Sequence, residues 1–422
     1  MKEYKQPNKY LSFLQRIYYS PKFKNFKTKL YLKRFPKILD DISKKKTINI
    51  VFFIVTLSMW KYEFLVKELL KDKRFNIRII PYPYPHHSKE EQIKFRNQII
   101  DYCNNNKFPY QIAFDIENQR YVPANELKAD IISYTQPYNG GYNFWKLEKF
   151  WKDSIFFAYP YGLPLDTEGV LNYTLLQNIA WKHFYPTNKS KSFFEQNKIT
   201  KGFNFEYVGN TIYDRITNHV ITGKDWKINK PGIKKIIWAP HHSIDPNDVL
   251  PFSNFLDIAE DMKKIASKYS GKIEMAFKPH PYLRERLNKL WGNEKTDEYY
   301  HFWENSENTS LVNGDYIDLF ASSDAMIHDC GGFTNEYLYT KNPVIYVCKP
   351  GVDKYMSNFA KDCFNMHYHG NNIRDIEVFI QEVVLYGKDR MKSQREDFYN
   401  NELIPPNGNS TAKNMYHCFQ NI

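Results

Sequence analysis

The sequence has 422 residues, 42% of them hydrophobic and 17% aromatic, a composition typical of two or three globular domains and unlike that of a disordered chain. Its five cysteines are scattered and form no CxxC pair, which argues against a disulfide framework or a structural zinc site and favours a reducing compartment such as the cytosol. No stretch approaches the roughly 20 apolar residues of a membrane-spanning helix. Lysines and arginines also interrupt the region where the apolar part of a signal peptide would lie.

The positive charge of the chain is concentrated at its amino terminus. Residues 1–46 hold fourteen lysines or arginines and three acidic residues, which accounts for nearly all of the net charge of +12. Apolar residues stand between these cations at helical spacing: Leu11, Leu14, Ile17, Tyr18, Phe23, Phe26 and Leu30. The pattern predicts a basic amphipathic segment that docks on an anionic membrane surface. The alternatives are a helix packed on the protein body and a nucleic-acid arm, and we expect no nucleic-acid partner because no binding module follows.

After Lys46 the sequence changes to alternating strands and helices. The run TINIVFFIVT at 47–56 is typical of a buried strand, and residues 47–222 are predicted to form a first Rossmann-like domain. Its predicted strands are 47–56, 76–81, 110–115, 130–134 and 154–159, and its predicted helices are 62–71 and 89–105. Loops rich in turn residues follow two of these strands, at 134–141 and 159–165, and are expected to line the functional site.

A polar stretch at 222–231 is predicted to link this domain to a second one, and residues 223–386 are predicted to form it, followed by a helical tail at 387–422. Its predicted strands are 234–239, 272–278, 324–329 and 343–347, and its predicted helices are 252–269, 283–291, 316–322 and 334–339. Strand–helix alternation of this kind indicates parallel sheets covered on both faces. We therefore predict an α/β fold with two Rossmann-like domains facing across a cleft, where the ligands of open α/β sheets bind.

The segment 325–338, AMIHDCGGFTNEYL, combines a strand, a glycine turn and a helix. Glycines in such a turn let the backbone approach a ligand closely, and the first N–H groups of a helix attract anions. The segment therefore predicts a phosphate-binding turn, whose candidate residues are Asp329, Cys330, Gly331, Gly332, Thr334 and Glu336. Glu336 is also open to a simpler interpretation, as a carboxylate favoured in the first turn of a helix.

Two further strand ends carry histidines and a lysine. Pro279 and Pro281 flank His280 and restrict its backbone, at a position suited to moving a proton or holding a phosphate, and Lys278 precedes it. His241 and His242 follow the strand at 234–239. Because adjacent residues of extended chain point to opposite sides, we expect one of these two histidines in the site and the other in a structural role. No carboxylates stand nearby at ligand spacing, so neither a metal site nor a cofactor is predicted.

Taken in order, three motifs resemble those of the CDP-glycerol glycerophosphotransferase family, which polymerises teichoic acids and related capsular polymers. They are WAPHHS at 238–243, FKPHP at 277–281, and YIDLFASSDAMIHDC at 316–330 followed by EYLYTKNPVIYV at 336–347. The resemblance covers roughly residues 130–350. It implies a GT-B fold and transfer of glycerol phosphate, or a related polyol phosphate, from a CDP-activated donor to a hydroxyl of a surface polymer or lipid-linked glycan, with release of CMP. It also implies a peripheral location on the cytoplasmic face of the cell membrane.

The resemblance assigns roles to individual residues. His280 matches a family histidine of the second domain, and Asp329 matches the aspartate before the phosphate-binding turn, where Cys330 and two glycines stand in place of the family's serines. Tyr161 stands where the family has a catalytic histidine, so the first domain is the acceptor side and the general base is left open among His280, His242 and Tyr161. Lys278, His241 and the glycine turn are expected to bind the donor.

Two other functions remain compatible with these motifs. A GT-B glycosyltransferase that uses a nucleotide sugar for capsule or lipopolysaccharide synthesis would attack an anomeric carbon instead of phosphorus. A non-catalytic, membrane-attached assembly partner would explain the tyrosine at 161, although the presence of His280, Asp329 and the glycine turn disfavours it.

Overall fold

The computed structural model describes residues 2–3, 21–136, 141–162, 174–197, 199–248 and 253–422. The chain divides into two compact units. The first contains the described residues up to Gly162, residues 174–211 and Pro405–Ile422, and the second contains Ile212–Ile404. None of the helices in these described segments is both long enough and apolar enough to cross a membrane.

The first unit is built on a six-stranded parallel sheet. Its strands are β1 (Ile48–Ile54), β2 (Phe75–Pro81), β3 (Ile131–Tyr134), β4 (Ile155–Ala158), β5 (Lys182–Tyr185) and β6 (Phe205–Tyr207), in the order β2-β1-β3-β4-β5-β6. Its helices are α1 (Pro21–Leu32), α2 (Phe35–Ser43), α3 (Glu63–Leu69), α4 (Lys89–Asn106), α5 (Leu175–Ile179) and α6 (Lys191–Glu195). α7 (Thr211–Thr217) leads into the second unit, and a last helix, numbered below, returns to the first. Six of the seven β1 residues are buried, as the apolar run at 47–56 predicts.

The second unit has a sheet in the Rossmann strand order. Its strands are β7 (Lys234–Ala239), β8 (Ile273–Phe277), β9 (Thr309–Leu311), β10 (Ala325–His328), β11 (Val344–Val347) and β12 (Tyr368–Gly370), all parallel and in the order β9-β8-β7-β10-β11-β12. Its helices are α8 (Phe255–Lys268), α9 (Leu283–Trp291), α10 (Asn293–Asn305), α11 (Ile317–Ala321), α12 (Phe333–Glu336), α13 (Asn358–Phe364), α14 (Ile373–Val378) and α15 (Lys392–Phe398). π-helical turns at Phe379–Leu385 and Tyr399–Leu403 extend α14 and α15.

Both faces of this sheet are buried, which explains why its strands are nearly continuous apolar runs. Along β7, Ile236 and Trp238 pack into one apolar core, and Ile237 and Ala239 pack into another on the opposite face. The α/β fold with two Rossmann-like units predicted from the sequence is therefore confirmed.

The predicted strand at 110–115 is wrong. Tyr110 forms a single bridge with Ile79, and the chain then leaves the sheet. Phe114 and Asp115 pair instead with Arg120–Tyr121, in a small antiparallel sheet that Lys2–Glu3 completes. The cause is aromatic packing, because the Phe114 ring lies 5.0 Å from Tyr142 and 5.4 Å from Phe144.

The contacts divide the chain near Thr211, whereas the sequence places the boundary after residue 222. The reason lies in α7, whose Ile212 is buried in a core of the second unit together with Trp226 and Leu319. The helical tail predicted at 387–422 is divided between the two units. Residues up to Ile404 belong to the second unit, and α16 (Thr411–Gln420) buries Met415 and Phe419 in the core of the first.

The basic amino-terminal region is helical where it is described, from residue 21 onward, and the stripe residues 11–18 lie outside the described segments. α1 is anchored on the first unit through Tyr31, which is buried and donates its hydroxyl to the Ser154 carbonyl at 3.1 Å. Ile38 and Ile42 of α2 are buried in the same core. α1 therefore packs on the protein body through one face while Phe26 and Leu30, 59% and 37% exposed, lie on its surface.

Candidate functional site

Three neighbouring strands of the second unit end in the predicted site residues. β8, β7 and β10 lie side by side and parallel, so their carboxyl ends share one edge of the sheet. β7 and β10 also mark the point where the strand order reverses, and ligands of such sheets bind at this point. The fold thus brings together the segments that follow these strands: 240–243, 278–282 and 329–336.

Three histidines form a compact cluster at this edge. The ring centres of His241 and His242 lie 4.2 Å apart, and the His280 ring lies 4.0 Å from His242 and 5.1 Å from His241. Tyr282 borders the cluster, 5.6 Å from His280 and 5.8 Å from His242. Both adjacent histidines lie in this cluster, because both follow Pro240 beyond the end of β7 and the alternating directions of extended chain do not apply there.

Short turns fix two of these rings. Nδ1 of His241 accepts the N–H of Ser243 at 3.2 Å and lies 2.8 Å from the Ser243 hydroxyl oxygen. Nδ1 of His280 accepts the N–H of Tyr282 at 3.2 Å. Each imidazole thus accepts from the residue two positions ahead. By contrast, His242 Nδ1 is buried and has no hydrogen-bond partner among the described residues.

The surroundings of all three histidines disfavour the protonated form of the ring. Burial lowers the pKa of His241 and His280 to about 3, and it also lowers the pKa of His242. Neighbouring cations contribute in the same direction, including Lys278 at His280 and Arg286 at each ring. The Arg286 guanidinium is itself paired with Asp248 at 2.5 Å, so it is not an uncompensated charge.

Lys278 is the principal unbalanced charge at this edge. Its side chain is 6% exposed, and no carboxylate of the described residues lies within ion-pair distance of its ammonium group. Burial lowers its pKa, while Asp315 and Asp225 act in the opposite direction from a greater distance. A buried cation without a counter-ion is costly, and an anionic ligand would relieve that cost.

Both carboxylate oxygens of Asp329 accept hydrogen bonds from neighbouring loops. One carboxylate oxygen accepts the His241 N–H at 2.5 Å, and the other accepts the Ser253 hydroxyl and the Asn254 N–H, each at 2.9 Å. Burial raises its pKa to about 6, and these three hydrogen bonds oppose the rise. Asp329 thus joins the end of β10 to the segment after β7 and to the start of α8.

The glycine turn leaves room beside the backbone. Gly332 has an ordinary helical φ of −59°, so its conformation does not require glycine. A Cβ at this position would meet no atom of the described residues within 4 Å. Burial raises the pKa of the Cys330 thiol to about 12, opposed by the N–H groups of Phe333 and Gly332, which point at its sulfur.

Thr334 and Glu336, the other two predicted residues of the turn, form hydrogen bonds with nearby protein groups. The Thr334 hydroxyl donates to the Cys330 carbonyl at 3.4 Å, and Glu336 accepts the Tyr316 hydroxyl. α12 has only four residues before a 3₁₀ turn continues to Thr340, so its dipole is weaker than that of the longer helix predicted at 334–339.

Some charged groups of this region were not anticipated from the sequence. Arg215 pairs with Asp315 at 2.6 Å, and its charge also acts on Tyr316 and Glu336. His328 ends β10 fully buried, and its Nε2 has no hydrogen-bond partner in the described part of the chain. No sequence motif marks the Arg215–Asp315 pair because its members are 100 residues apart.

The predicted residues of the first unit lie at the ends of β3 and β4 and in the loops that follow them. Tyr161 is half-buried at the end of the segment after β4, and residues 163–165 of its loop lie outside the described segments. In the predicted loop at 134–141, Tyr134 donates its hydroxyl to the Trp145 carbonyl at 2.8 Å. Residues 137–140 of this loop lie outside the described segments.

The cluster also has the spacing of a metal site. One nitrogen from each of His241, His242 and His280 lies within 4.8 Å of the others, in a region where the sequence predicted no metal. Imidazole nitrogens are common ligands of zinc and other transition metals. A ligating nitrogen must offer its lone pair to the ion. The Nδ1 lone pairs of His241 and His280 already accept the N–H groups of Ser243 and Tyr282.

No curated protein matches the sequence. Among solved structures, a variant of the wall teichoic acid polymerase TagF matches with a TM-score of 0.56 at 14% identity, over 97% of each chain. UDP-GlcNAc 2-epimerase from Neisseria meningitidis, bound to UDP-GlcNAc, matches with a TM-score of 0.57 at 15% identity, over 89% of this chain and 100% of the other. The Methanocaldococcus jannaschii enzyme matches with a TM-score of 0.54 at 13% identity, over 89% and 100%. These likenesses show the fold, which is of the GT-B type.

The family comparison falls on the second unit and its candidate site. Residues 229–414 match the model of the family described as CDP-Glycerol:Poly(glycerophosphate) glycerophosphotransferase. They include the histidine cluster, Lys278 and the glycine turn, and they support a transferase. The resemblance found in the sequence motifs is therefore confirmed for residues 229–414, which match the model of this family.

Proposed function

We propose that the protein transfers glycerol phosphate, or a related polyol phosphate, from a CDP-activated donor to a hydroxyl of a cell-surface polymer or lipid-linked glycan. The observation that carries the proposal is Lys278, a cation that is 6% exposed and lacks an ion-pair partner among the described residues. It lies beside His280 at the strand edge where ligands of such sheets bind. The family match over residues 229–414 supplies the donor class.

In this reaction an acceptor hydroxyl oxygen attacks the donor phosphorus that is distal to the nucleoside. The bond from that phosphorus to the bridging oxygen breaks, CMP leaves with the bridging oxygen, and the hydroxyl proton passes to a base. Phosphoryl transfer depends chiefly on positioning and on the neutralisation of charge. Lys278 supplies the positive charge, the histidine cluster supplies polar contacts, and the open space at Gly332 admits a phosphate oxygen close to the backbone.

The basic segment 1–46 supports a peripheral location on the cytoplasmic face of the membrane. Phe26 and Leu30 of α1 are exposed among lysines, and Phe203 of the same unit is 51% exposed and lies 6.5 Å from the Phe35 ring. Apolar side chains within a basic surface suit an interface of anionic headgroups. This location would bring the enzyme to a lipid-linked or membrane-bound acceptor.

A nucleotide-sugar enzyme is the second candidate, and the matches to UDP-GlcNAc 2-epimerases over 89% of the chain favour it. The two candidates differ in their products. A polyol-phosphate transferase releases CMP from CDP-glycerol, whereas a glycosyltransferase releases a nucleoside diphosphate and an epimerase changes the sugar. A non-catalytic partner would give no product with any donor.

The test begins with the full chain and a thermal-shift screen against CDP-glycerol, CDP-ribitol, CMP-linked sugars and UDP-sugars, followed by chromatographic detection of CMP. Stabilisation by CDP-linked polyols, with release of CMP, is expected. Lys278→Met should lower turnover by at least about a hundredfold, since a charged contact that counts fully in the transition state is worth about 3 kcal/mol. Lys289→Met, an exposed lysine paired with Glu285, is the matched control. Stabilisation by UDP-sugars alone would replace the proposal with the second candidate.

A further inference from the structure

We infer that His328 is a positioning residue for the donor site, because its buried ring fixes the backbone of Cys330 and, through it, the glycine turn. The ring does not contact the ligand itself. The inference rests on the proposed function for the identity of that ligand. It gives a role to a histidine that is not among the site residues predicted from the sequence.

The position of His328 in the sheet rules out direct contact with a ligand. It is the last residue of β10 and is 1% exposed. Its strand neighbours are Ala239 of β7 and Tyr346 of β11. The His328 ring lies 4.9 Å from the Tyr346 ring and 5.3 Å from the His367 ring. Any effect of this residue on ligand binding must therefore pass through the groups that the ring touches.

The ring touches the backbone of Cys330. Nδ1 of His328 lies 3.2 Å from the Cys330 nitrogen and 3.0 Å from the Cys330 carbonyl oxygen. With its proton on Nε2, the ring accepts the Cys330 N–H, and with its proton on Nδ1, it donates to the Cys330 carbonyl. The ring therefore holds this residue in either tautomer. Nε2 has no hydrogen-bond partner among the described residues, so Cys330 is the partner of the ring in this part of the chain.

The buried ring has an energetic cost that its packing does not explain. Burial lowers the pKa of His328 to about 3, and the hydrogen bond with the Cys330 backbone opposes this, so the ring is neutral. A buried polar nitrogen without a partner is destabilising, and an apolar side chain of similar size would avoid that cost. The contact with Cys330 is what an apolar side chain could not provide.

Cys330 transmits this constraint to the glycine turn. The Thr334 hydroxyl donates to the Cys330 carbonyl at 3.4 Å, and the N–H groups of Gly332 and Phe333 point at the Cys330 sulfur. A displacement of Cys330 would therefore move the first N–H groups of α12. These are the groups that an anion at the start of a helix requires.

The same turn lies beside the cation of the proposed donor site. Burial lowers the pKa of Lys278, and Cys330 is the first of the neighbouring groups that oppose this change. The N–H groups of the turn and the Lys278 ammonium group thus serve one ligand from two sides. A phosphate needs both in register, so loosening the turn should weaken binding even though Lys278 is unchanged.

An isosteric pair of substitutions tests the contact. Leucine and asparagine have the same shape and differ in polarity. His328→Asn places an amide near the position of Nδ1, where it can still bond to Cys330, whereas His328→Leu leaves the Cys330 N–H without this acceptor. His328→Leu should weaken the binding of CDP and of inorganic pyrophosphate by at least about tenfold, and His328→Asn should stay within about threefold of the parent. Calorimetry on the full-length protein measures both affinities, after thermal melts show that the variants are folded.

His367 provides the matched control. It is 2% exposed, and its Nδ1 donates to the Cys363 carbonyl at 2.8 Å, outside the glycine turn. His367→Leu and His367→Asn should both bind CDP within about threefold of the parent. His301→Gln, at an exposed position on α10, controls for the loss of an imidazole elsewhere in the unit. A purely structural role predicts that affinity follows stability at both buried positions, so equal losses in His328→Leu and His367→Leu would overturn the inference.

Amide exchange tests the positioning without a ligand. The protein has five cysteines, so ¹⁵N-cysteine labelling gives few backbone amide signals, and that of Cys330 is the one missing from Cys330→Ser. Its exchange with deuterium should be at least about tenfold faster in His328→Leu than in the parent or in His328→Asn, because the N–H has lost its acceptor. Equal exchange rates in the two His328 variants would contradict the inference.

The outcomes separate the inference from the proposed function. Affinity for CDP that is lost in His328→Leu and kept in His328→Asn supports the positioning role, and equal affinities in the two variants overturn it. A parent protein that binds neither CDP nor pyrophosphate refutes the proposed transfer. In that case the exchange rates alone decide whether His328 fixes the turn.

Discussion

Asp329 Oδ1 accepts the backbone N–H of His241 at 2.5 Å, so a buried carboxylate at the end of β10 fixes the first residue of the histidine cluster after β7. Its other oxygen binds the Ser253 hydroxyl and the Asn254 N–H. The aspartate at this position therefore acts through the loops it joins. The sequence placed it among the donor-binding residues, and its contacts favour a positioning role.

Asp329→Asn should destabilise the second unit by about 2–3 kcal/mol, because the new amide nitrogen would face either the His241 N–H or the two donors at Ser253 and Asn254. The free energy of unfolding in urea measures this change. Asp261→Asn, at a half-exposed residue paired with Lys264, serves as control and should change stability by less than about 0.5 kcal/mol. Equal effects of the two substitutions would contradict the positioning role.

Gly332→Ala should leave folding unchanged or slightly stabilised, by up to about 0.5 kcal/mol, since its φ is ordinary and its Cβ would meet open space. If a phosphate oxygen approaches this backbone, the added methyl should weaken CDP binding by at least about tenfold. Thermal melts and calorimetry measure the two effects separately. Gly271→Ala would not be a matched control because its φ of +79° strains any side chain. Unchanged affinity in Gly332→Ala would remove this turn from the donor site.

His242→Asn should lower kcat by at least about a hundredfold while changing KM for the donor by less than about threefold, if His242 receives the acceptor proton. The asparagine retains polar atoms close to the backbone but has no basic nitrogen. Steady-state kinetics at saturating acceptor separate the two constants, with His301→Gln as control. A parallel rise in KM with unchanged kcat would instead place His242 among the binding residues.

Stability should fall as the pH drops below about 6.5. Burial lowers the pKa of His183, His241, His280 and His328 from 6.5 to about 3, so the unfolded chain binds protons that the folded chain does not. The stabilising contribution is complete above pH 6.5 and is lost toward pH 3, at about 2 kcal/mol per histidine by pH 5. Asp329 acts in the opposite direction because its folded pKa, about 6, exceeds the ordinary 3.8.

Melting temperatures between pH 5 and pH 8 measure this dependence. His183→Phe gives a sharper check, because neither ring nitrogen of His183 has a hydrogen-bond partner among the described residues and its neighbours include Tyr185 and Phe194. At pH 5, the variant should take up about one proton fewer per molecule on unfolding than the parent. A melting temperature that is constant from pH 8 to pH 5 would show that these histidines are not held neutral.

Phe26→Ser combined with Leu30→Ser should reduce binding to anionic liposomes by about tenfold without loss of folding, since both side chains are exposed. Deletion of residues 1–46 would be a poorer test, because it would also remove Tyr31, Ile38 and Ile42 from the core of the first unit. Val378→Ser, at an exposed apolar position on α14, is the control. Unaltered binding in the double variant would assign α1 to a structural role.

The sequence predicted the elements with the strongest periodicity. β10 is buried along its whole length, six of the seven β1 residues are buried, and so are the last four residues of β7, so hydrophobic pattern alone located these strands. β5 and β6 were not predicted, because KHFY and FEY are short, contain charged residues and carry no hydrophobic pattern long enough to mark a strand.

The site was predicted in its location more fully than in its interactions. Strand ends identified Lys278, His280 and the glycine turn, since the position of a residue after a parallel strand follows from the chain alone. The contact of His242 with His280 depends on a turn after Pro240, and the hydrogen bonds of Asp329 depend on loops distant in sequence. Such contacts are properties of the folded chain and no local pattern reports them.

The return of α16 to the first unit has a consequence for how the chain is made. Phe419, three residues before the last residue of the sequence, is fully buried, with its ring 5.2 Å from Phe157 and 5.5 Å from Trp181. On the ribosome, the first unit emerges early but lacks this part of its core until α16 has emerged, whereas the second unit is complete by Ile404. The unit that is translated second can therefore finish folding first, and the apolar surface that α16 covers stays exposed while the second unit is made.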